Sequence, residues 1–209
     1  MVDPAETPRE DYLSSLPPRA QNLLRAARRL LIDQGFDALK WERIAQEAGE
    51  QKSMIRYYFK DTAGLISALL RVMAQDATLW LVARSEALPT GPERIHAHVT
   101  GTHELTRHPE FLSFFDVLPH ALRNDRLRAQ IAELYRWYRQ MNQTCFGVEP
   151  MPENEDDLAA LASLFLAAAD GIAIQAALDP EGYDAGPVFA KLEQALRLLL
   201  PSGQPSETA

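Results

Sequence analysis

The chain has 209 residues, a net charge of −8 and 46% hydrophobic residues, which is enough apolar content for one large or two small packed domains. Its single cysteine, Cys145, excludes an intrachain disulfide and a metal cluster built on thiolates. No apolar run follows a basic start, and we expect none long enough to cross a bilayer. These features predict a soluble cytoplasmic protein without a membrane partner.

Charge is distributed unevenly along the chain. Residues 17–72 contain ten Lys and Arg against six Asp and Glu, a balance of +4. Residues 73–209 contain ten against nineteen, a balance of −9, and residues 1–16 add −3. Because residues 17–72 are positively charged, the chain can bind a nucleic acid even though its net charge is negative. Solvated helix faces would explain the same uneven distribution of charge.

The first third of the chain predicts a short arm followed by helices. Residues 1–16 are rich in Pro, Glu and Asp and lack periodicity, which predicts a disordered arm. A first helix begins at 17–18, where two prolines are tolerated, and ends at Gly35, a C-cap candidate. A longer helix begins near Asp61, whose carboxylate suits an N-cap.

The pattern stays helical beyond Pro89. The predicted helices cover 92–106, 109–121 with a break or kink at Pro119, 125–146, 155–178 and 187–200. We find no strand alternation and no internal repeat. The sequence therefore predicts an all-α fold of about nine helices. Its predicted divisions are an arm (1–16), a three-helix head (17–62), a larger body (63–201) and a tail (202–209).

The most informative segment is 41–58, WERIAQEAGEQKSMIRYY, which predicts two short amphipathic helices separated by a break at 49–51. Ile44 lies on the apolar side of the first helix, and Ile55 and Phe59 lie on that of the second. Two helices that cross at a glycine-containing turn, the second with a basic outer face, form a helix-turn-helix. The DNA major groove accepts a helix of this width, so the segment predicts a DNA-binding head.

With these residues, the segment 19–70 resembles the tetracycline-repressor (TetR) family of bacterial regulators. The matching motifs keep their spacing without gaps: Gly35-Phe36, Ile44-Ala45-x-x-Ala48-Gly49, Ile55-x-x-Tyr58-Phe59 and Leu65. Residues 170–172 (DGI) and 178–180 (LDP) are similar to the choline-responsive betaine-regulator branch. The resemblance implies a homodimer whose body binds a small effector and thereby changes the spacing of two DNA-binding heads.

Four positions depart from the usual family pattern: Lys40, Ser53, Arg56 and Thr62. The family's basic residue, a phosphate anchor, is replaced at Thr62. Lys40, Arg56 and Lys60 could take over that contact. The departures mean that no operator sequence can be inferred from relatives.

The candidate DNA-contacting residues are polar or basic and lie on or beside the two short helices: Lys40, Arg43, Gln51, Lys52, Ser53, Arg56, Tyr57 and Lys60. Arg56 could donate two hydrogen bonds to a guanine or contact a phosphate, and both interpretations stay open. Lys52 and Lys60 are better suited to phosphate. Tyr58 should pack inside the head, because it is in phase with Ile55 and Phe59. Trp41 should pack on the first helix rather than contact DNA, the alternative.

Aromatic residues at helical spacing in the body normally form a core. In a protein similar to the TetR family, however, the central helices surround an effector cavity. The candidate lining residues are Trp80, His103, Phe111, Phe115, Trp137, Met141 and Cys145.

Features of enzymes and metal sites are missing from the sequence. His96, His103 and His108 have no carboxylate at ligand spacing, so a metal site is not expected. The acidic run at 153–157 precedes an apolar helix, where it favours the helix dipole. Without a phosphate loop, a nucleophile elbow or an HExxH motif, we expect neither an enzyme nor a cofactor.

The segment 158–178 is apolar over most of a helix circumference, more than a one-sided surface helix needs. With the last helix it suits a four-helix bundle across a two-fold axis, although an intrachain core would explain the same pattern. The candidate interface residues are Leu161, Leu164, Phe165, Ala168, Ile172, Val188, Phe189, Leu192 and Leu196.

Together these features predict a ligand-responsive transcriptional regulator, a homodimeric repressor released from a palindromic operator by a small molecule. Two alternatives remain open. One is a regulator of the same fold that activates transcription or has no small ligand. The other is a helical adaptor whose head engages protein rather than DNA.

Overall fold

The computed structural model describes residues 12–200, which form helices joined by short turns. In chain order the α-helices are α1 (Tyr12–Ser15), α2 (Pro18–Gln34), α3 (Trp41–Ala48), α4 (Lys52–Phe59), α5 (Thr62–Glu86), α6 (Pro92–Thr106), α7 (Pro109–Phe115), α8 (Leu118–Ala121), α9 (Asp125–Phe146), α10 (Glu155–Leu178) and α11 (Ala185–Leu199). Nine of these have seven residues or more, and residues 12–200 contain no strand. The predicted all-α fold is therefore confirmed.

Several helix ends lie where local chemistry predicts them. Gly35 ends α2 with a φ of 77°, and its N–H donates to the carbonyl of Leu31 (3.0 Å). Asp61 caps α5, because its Oδ1 accepts from the N–H of Gly64 (2.9 Å). The helix predicted over 109–121 is broken at 116–117, between α7 and α8, and Pro119 lies in the first turn of α8, where proline is tolerated.

The chain divides into two compact units, each with its own core. Within the described residues, unit 1 comprises 12–77 and Pro109–Tyr135, and unit 2 comprises Thr78–His108 and 136–200. Helices α5 and α9 contribute residues to both. This division differs from the predicted head and body, because Pro109–Tyr135 groups with the head. The predicted tail lies outside the described residues.

Unit 1 is built around α2, which packs against α3, α4 and α7. Apolar residues at helical spacing give α2 a wide buried face: Ala20, Leu23, Leu24, Ala26, Ala27, Leu30 and Leu31. Val117, Leu127 and Ile131 belong to the same hydrophobic core. Their burial explains why Pro109–Tyr135 groups with the head.

Residues 12–16 pack onto unit 1, which corrects the prediction of a disordered arm through residue 16. The backbone N–H of Tyr12 donates to Oε1 of Gln75 (2.9 Å), and the guanidinium carbon of Arg71 lies 4.3 Å from the centre of the Tyr12 ring. The side chains that pack against the core are Tyr12, Leu13 and Leu16. One aromatic and two leucines anchor this helical turn despite its polar surroundings; residues 1–11 of the predicted arm lie outside the described residues.

In unit 2, α6, α10 and α11 pack on one another. Their shared core consists of Ile95, Val99, Phe146, Leu158, Leu161, Ala162, Phe165, Ala169, Ile172, Phe189, Leu196 and Leu200. By length and composition alone, α5 and α10 are long and apolar enough to cross a membrane. This corrects the expectation that no segment of the chain is long enough to do so. A core helix meets the same criterion, and most of the apolar stretch of α5 is buried in the fold. The apolar stretch of α10 is less fully buried.

Candidate functional site

The turn between α3 and α4 has the backbone geometry of a helix-turn-helix. Gly49 has φ 64° and ψ 30°, the left-handed conformation that glycine adopts without a steric penalty. Its N–H donates to Gln46, and the N–H of Glu50 donates to Ala45 (2.9 Å). This pair of hydrogen bonds is a Schellman motif, which ends α3 and redirects the chain. The break predicted at 49–51 is present, and α4 begins at Lys52.

Helix α4 has one buried face and one exposed face. Ile55 and Phe59 are buried in the core of unit 1, and Met54 and Tyr58 pack against it. The Tyr57 side chain is 75% exposed, and its ring meets that of Tyr58 edge-on at 4.9 Å. The inward position expected for Tyr58 is therefore observed, and Tyr57 is available to an outside partner.

All eight residues predicted to contact DNA are exposed. Six belong to α4 or flank it directly: Gln51, Lys52, Ser53, Arg56, Tyr57 and Lys60. The other two, Lys40 and Arg43, lie at the start of α3. The structure thus assembles these residues on α3, α4 and their flanks, in unit 1.

Lys60 lies in a tight connection between α4 and α5. Its φ of 69° and ψ of −54° close a γ-turn, in which the N–H of Asp61 donates to the carbonyl of Phe59 (2.8 Å). A non-glycine residue rarely adopts a positive φ, because the Cβ atom crowds the backbone. The lysine is therefore held at the exit of α4 by a strained backbone.

Thr62, where the family has a basic residue, has a structural partner. The indole Nε1 of Trp41 donates to its Oγ1 (3.1 Å), and the Trp41 ring packs against the core of unit 1. This contact ties the start of α3 to the start of α5. Trp41 is thus packed in the head, as expected.

Two of the candidate DNA contacts have partners within the head. Lys52 forms an ion pair with Glu42 of α3, and Arg43 donates to Gln34. The hydrogen bond from Lys52 lowers the pKa of Glu42, so this carboxylate stays ionised on the exposed surface. A phosphate approaching Lys52 would therefore compete with Glu42.

The residues predicted to line an effector cavity are divided between the two units. Phe111 and Phe115 belong to unit 1, where their rings meet edge-on at 5.6 Å. The other five, in unit 2, are Trp80, His103, Trp137, Met141 and Cys145. Among these, the sulfur atoms of Met141 and Cys145 lie 3.6 Å apart, and burial raises the pKa of the Cys145 thiol to about 11.

The remaining three residues of this set have separate surroundings. Trp80 is exposed, with the guanidinium carbon of Arg84 5.3 Å from its ring centre. His103 stacks on Phe189 at 4.7 Å, and Trp137 contacts the ring of Tyr138 at 5.3 Å. Burial, together with the charge of Asp170, raises the pKa of the Tyr138 hydroxyl.

Sequence reasoning missed a buried polar pair in unit 2. His98 is fully buried, and its Nε2 donates to Oδ1 of Asn142 (2.9 Å), also buried. The rings of Phe146 and Phe165 lie 5.7 and 5.0 Å from that of His98. Burial lowers the pKa of His98 to about 4. Helical phase could have revealed it, because His98 lies on the same side of α6 as the buried Ile95.

Five of the predicted interface residues face inward in the structure. Leu161, Phe165, Ile172, Phe189 and Leu196 are buried in the core of unit 2, so their side chains are not available to a second copy. Of the others, Leu164 is exposed, and Ala168, Val188 and Leu192 are partly buried. The large apolar residues that α10 and α11 expose are Leu164, Ile174, Leu178, Leu198 and Leu199.

A glycine-terminated helix, a three-residue turn and a second helix with an exposed basic face define the helix-turn-helix class of DNA-binding proteins. Two family models match the sequence. "Bacterial regulatory proteins, tetR family" matches residues 23–69, and "BetI-type transcriptional repressor, C-terminal" matches residues 93–202. The chain belongs to the TetR family of bacterial regulatory proteins, with a C-terminal part of the BetI type. This family consists of transcriptional regulators rather than enzymes, as predicted.

Individual relatives agree with this assignment. The chain is 28% identical over 176 residues to the HTH-type transcriptional regulator BetI 2 of Chromohalobacter salexigens, covering 81% of this chain and 82% of the relative. The fold matches that of the multidrug-binding protein EbrR complexed with imidazole (TM-score 0.67, 22% identity, 99% and 100% coverage). It also matches a transcriptional regulator of Saccharomonospora viridis in complex with choline (TM-score 0.63, 20% identity, 85% and 94% coverage).

Proposed function

We propose that the protein is a cytoplasmic homodimeric repressor that binds a palindromic operator and is released from it by a small molecule. The observation that carries this proposal is the outer face of α4. It presents Lys52, Arg56 and Tyr57 to solvent beside a turn of helix-turn-helix geometry. Basic side chains supply phosphate contacts, and arginine can also distinguish guanine.

A dimer is supported by the length of the reading helix and by unit 2. Helix α4 has eight residues and can contact only one half-site, so a two-fold axis provides a second one. On α10 and α11, Leu164, Leu178 and Leu198 are 55%, 81% and 85% exposed. Burial of such side chains between two copies is favourable at about 25 cal/mol per Å². We therefore take the outward faces of α10 and α11 as the interface, in place of the inward-facing residues.

For the effector, we propose a small organic cation that binds in unit 2. The S. viridis relative binds choline, and the C-terminal family model is of the BetI type. In this chain, the charge of Asp170 acts on Tyr138, which contacts Trp137. A carboxylate beside aromatic rings favours an organic cation. Of the candidate cavity residues, this proposal retains Trp80, His103, Trp137, Met141 and Cys145.

DNA binding can be tested with duplexes that the wild-type protein selects from a random-sequence pool. Arg56→Ala should weaken binding to the selected duplex by about tenfold or more, the loss expected for one bidentate base contact. Arg107→Ala, which removes an exposed arginine of unit 2, is the control and should leave affinity unchanged. Equal affinities of wild type and Arg56→Ala would refute the role of Arg56.

The salt dependence of the same binding separates DNA from protein as the partner of the head. Phosphate contacts release counterions, so affinity for DNA should fall steeply as salt concentration rises. Failure to select any duplex, or binding without salt dependence, would favour the helical adaptor.

The dimer can be tested at Gly171 on α10, where an added Cβ would have no atom within 4 Å in the chain. Gly171→Arg should yield monomers in analytical ultracentrifugation with the helical content unchanged, because the arginine would place a charge between the two copies. Gly171→Ala is the matched control and should remain dimeric. A Gly171→Arg protein that stays dimeric would refute this interface.

Choline is the first effector to test. It should raise the unfolding temperature of the wild-type protein and weaken its binding to the selected duplex, since only a ligand that prefers one state can shift the equilibrium. Stabilisation by choline without weaker DNA binding would contradict release. No response to choline would exclude it as the effector.

A further inference from the structure

The chain passes between the two units at three points: after Ala77, after His108 and after Tyr135. Asp76 immediately precedes Ala77, at the first of these points. Glu110 lies two residues after His108, at the second. The side chain of Arg28, on α2, bonds to both of these carboxylates, and all three residues belong to unit 1.

The geometry at Arg28 is a planar fork. Its Nε and Nη2 donate to Oε1 and Oε2 of Glu110 at 2.9 and 2.6 Å, and its Nη1 donates to Oδ2 of Asp76 at 2.7 Å. A guanidinium that binds one carboxylate with two parallel bonds fixes both the distance and the orientation of its partner. The first turn of α7 is therefore held to α2 more rigidly than a single ion pair would hold it.

This charge cluster is partly shielded from water. The Arg28 side chain is 25% exposed and that of Glu110 22%, whereas that of Asp76 is 50% exposed. Burial disfavours the charge on Arg28, but the hydrogen bonds to Glu110 and Asp76 outweigh it and raise its pKa. The guanidinium stays charged at physiological pH, and its pair with Glu110 is screened less than a fully exposed one.

Neighbouring arginines on α2 have other partners. Arg25 donates to Gln21 in its own helix, and Arg29 pairs with Glu47 of α3. Helix α2 also supports the helix-turn-helix, since α3 and α4 both pack on it. Arg28 thus connects the supporting helix of the head to the two chain segments that lead into unit 2.

We propose that Arg28 is a positioning residue that couples the DNA-binding helices to unit 2. This inference rests on the proposed function and specifies its regulation. A change in unit 2 reaches Asp76 and Glu110 through the covalent chain, and Arg28 passes it to α2 and hence to α4. Because coupling between two sites is reciprocal, DNA bound to the head must affect unit 2 through the same contact.

Reciprocity allows a test that requires no known effector. The probe is the duplex selected by the wild-type full-length protein, added at saturating concentration. Amide hydrogen exchange is followed in α6 of unit 2, with exchange in α2 as the check on folding. The variants are Arg28→Gln and the matched control Arg25→Gln, which removes an arginine of the same helix without touching a segment boundary.

In the wild type and in Arg25→Gln, the duplex should change the exchange rates of α6. In Arg28→Gln, this change should shrink by about fivefold, a size typical of mutations that weaken coupling between sites. Arg28→Lys should fall between them, because lysine keeps the charge but cannot form the fork. An unchanged response of α6 in Arg28→Gln, or no response in the wild type, would overturn the inference.

If Arg28→Gln speeds amide exchange in α2 in the absence of DNA, its fold is disturbed and Glu110→Gln is used in its place. The response of α6 to the duplex is then compared between Glu110→Gln and the wild type. Glu110→Gln leaves the pair of Arg28 with Asp76 and loosens only the segment after His108. It should reduce the response of α6, and a full response would overturn the inference. A wild-type protein that selects no duplex would instead refute the proposed function, which keeps the two failures apart.

Discussion

A Cβ atom built on Gly64 would lie 2.1 Å from the carbonyl oxygen of Phe59, the last residue of α4. Real Cβ atoms essentially never come within 3.0 Å of another heavy atom, and a backbone oxygen cannot move aside as a flexible side chain can. The end of α4 therefore packs directly against the backbone of α5. This contact fixes the reading helix to the helix that continues into unit 2.

We expect Gly64→Ala to destabilise unit 1 by about 1–3 kcal/mol, the usual cost of forcing an extra methyl group into a packed site. Urea unfolding followed by circular dichroism would measure the loss. Binding to the selected duplex should weaken as well, because α4 must shift to make room.

Gly171→Ala provides the matched control, because a Cβ there would meet no atom of its own chain within 4 Å beyond the adjoining helix backbone. In this helical setting alanine should be neutral or stabilising by up to about 1 kcal/mol. Equal unfolding midpoints for the two alanine variants would mean that Gly64 does not experience the close approach in solution.

Backbone strain at Lys60 gives a prediction of the opposite sign. A non-glycine residue in a sparsely populated positive-φ conformation costs on the order of 1–3 kcal/mol. Lys60→Gly should therefore raise the free energy of unfolding by roughly 1 kcal/mol, after the entropy of an added glycine is subtracted. Lys60→Ala keeps the strain and should show no gain. If both variants have the wild-type stability, the γ-turn is not strained.

Local features of this fold were predictable because they depend on neighbouring residues. The left-handed turn after α3 favours glycine at position 49, Asp61 caps α5, and Pro119 lies in the first turn of α8, all through interactions between residues close in the sequence. The exposure of α4 likewise follows from the phase set by Ile55 and Phe59. The candidate DNA-binding surface could therefore be predicted from the sequence.

Contacts between residues far apart in the sequence could not be predicted in this way. Arg28 and Glu110 are 82 positions apart, and nothing in the pattern near either residue identifies the other. For α10, apolar residues surround the helix, so periodicity does not tell which side faces the core: Phe165 is buried whereas the adjacent Leu164 is exposed. The predicted interface therefore included inward-facing residues.

His98 should make unit 2 sensitive to acid. Its folded-state pKa of about 4 lies below the ordinary value of 6.5, so between these values the unfolded chain binds a proton that the folded chain does not. Stability is therefore lost as pH falls from 6.5 toward 4, by about 3 kcal/mol in total. Below pH 4 both states are protonated and His98 contributes no further change.

Urea unfolding between pH 6.5 and 4.5 would measure the effect of His98. His98→Gln should flatten the dependence of the unfolding free energy on pH, whatever its stability at neutral pH. A slope in His98→Gln as steep as in the wild type would assign the acid sensitivity to other groups.

The pairing of Lys52 with Glu42 predicts a variant that binds DNA more tightly than the wild type. Glu42 places a carboxylate next to a lysine expected to contact phosphate, and its lowered pKa keeps that carboxylate ionised. Glu42→Gln should free Lys52 and remove a repulsive charge, so affinity for the selected duplex should rise severalfold at low salt. The slope of log affinity against log salt should steepen by about 0.9 for each additional phosphate that the protein neutralises. Glu47→Gln, which frees Arg29 instead, is the control and should change the slope less. A Glu42→Gln protein with the affinity and slope of the wild type would show that Lys52 does not contact phosphate.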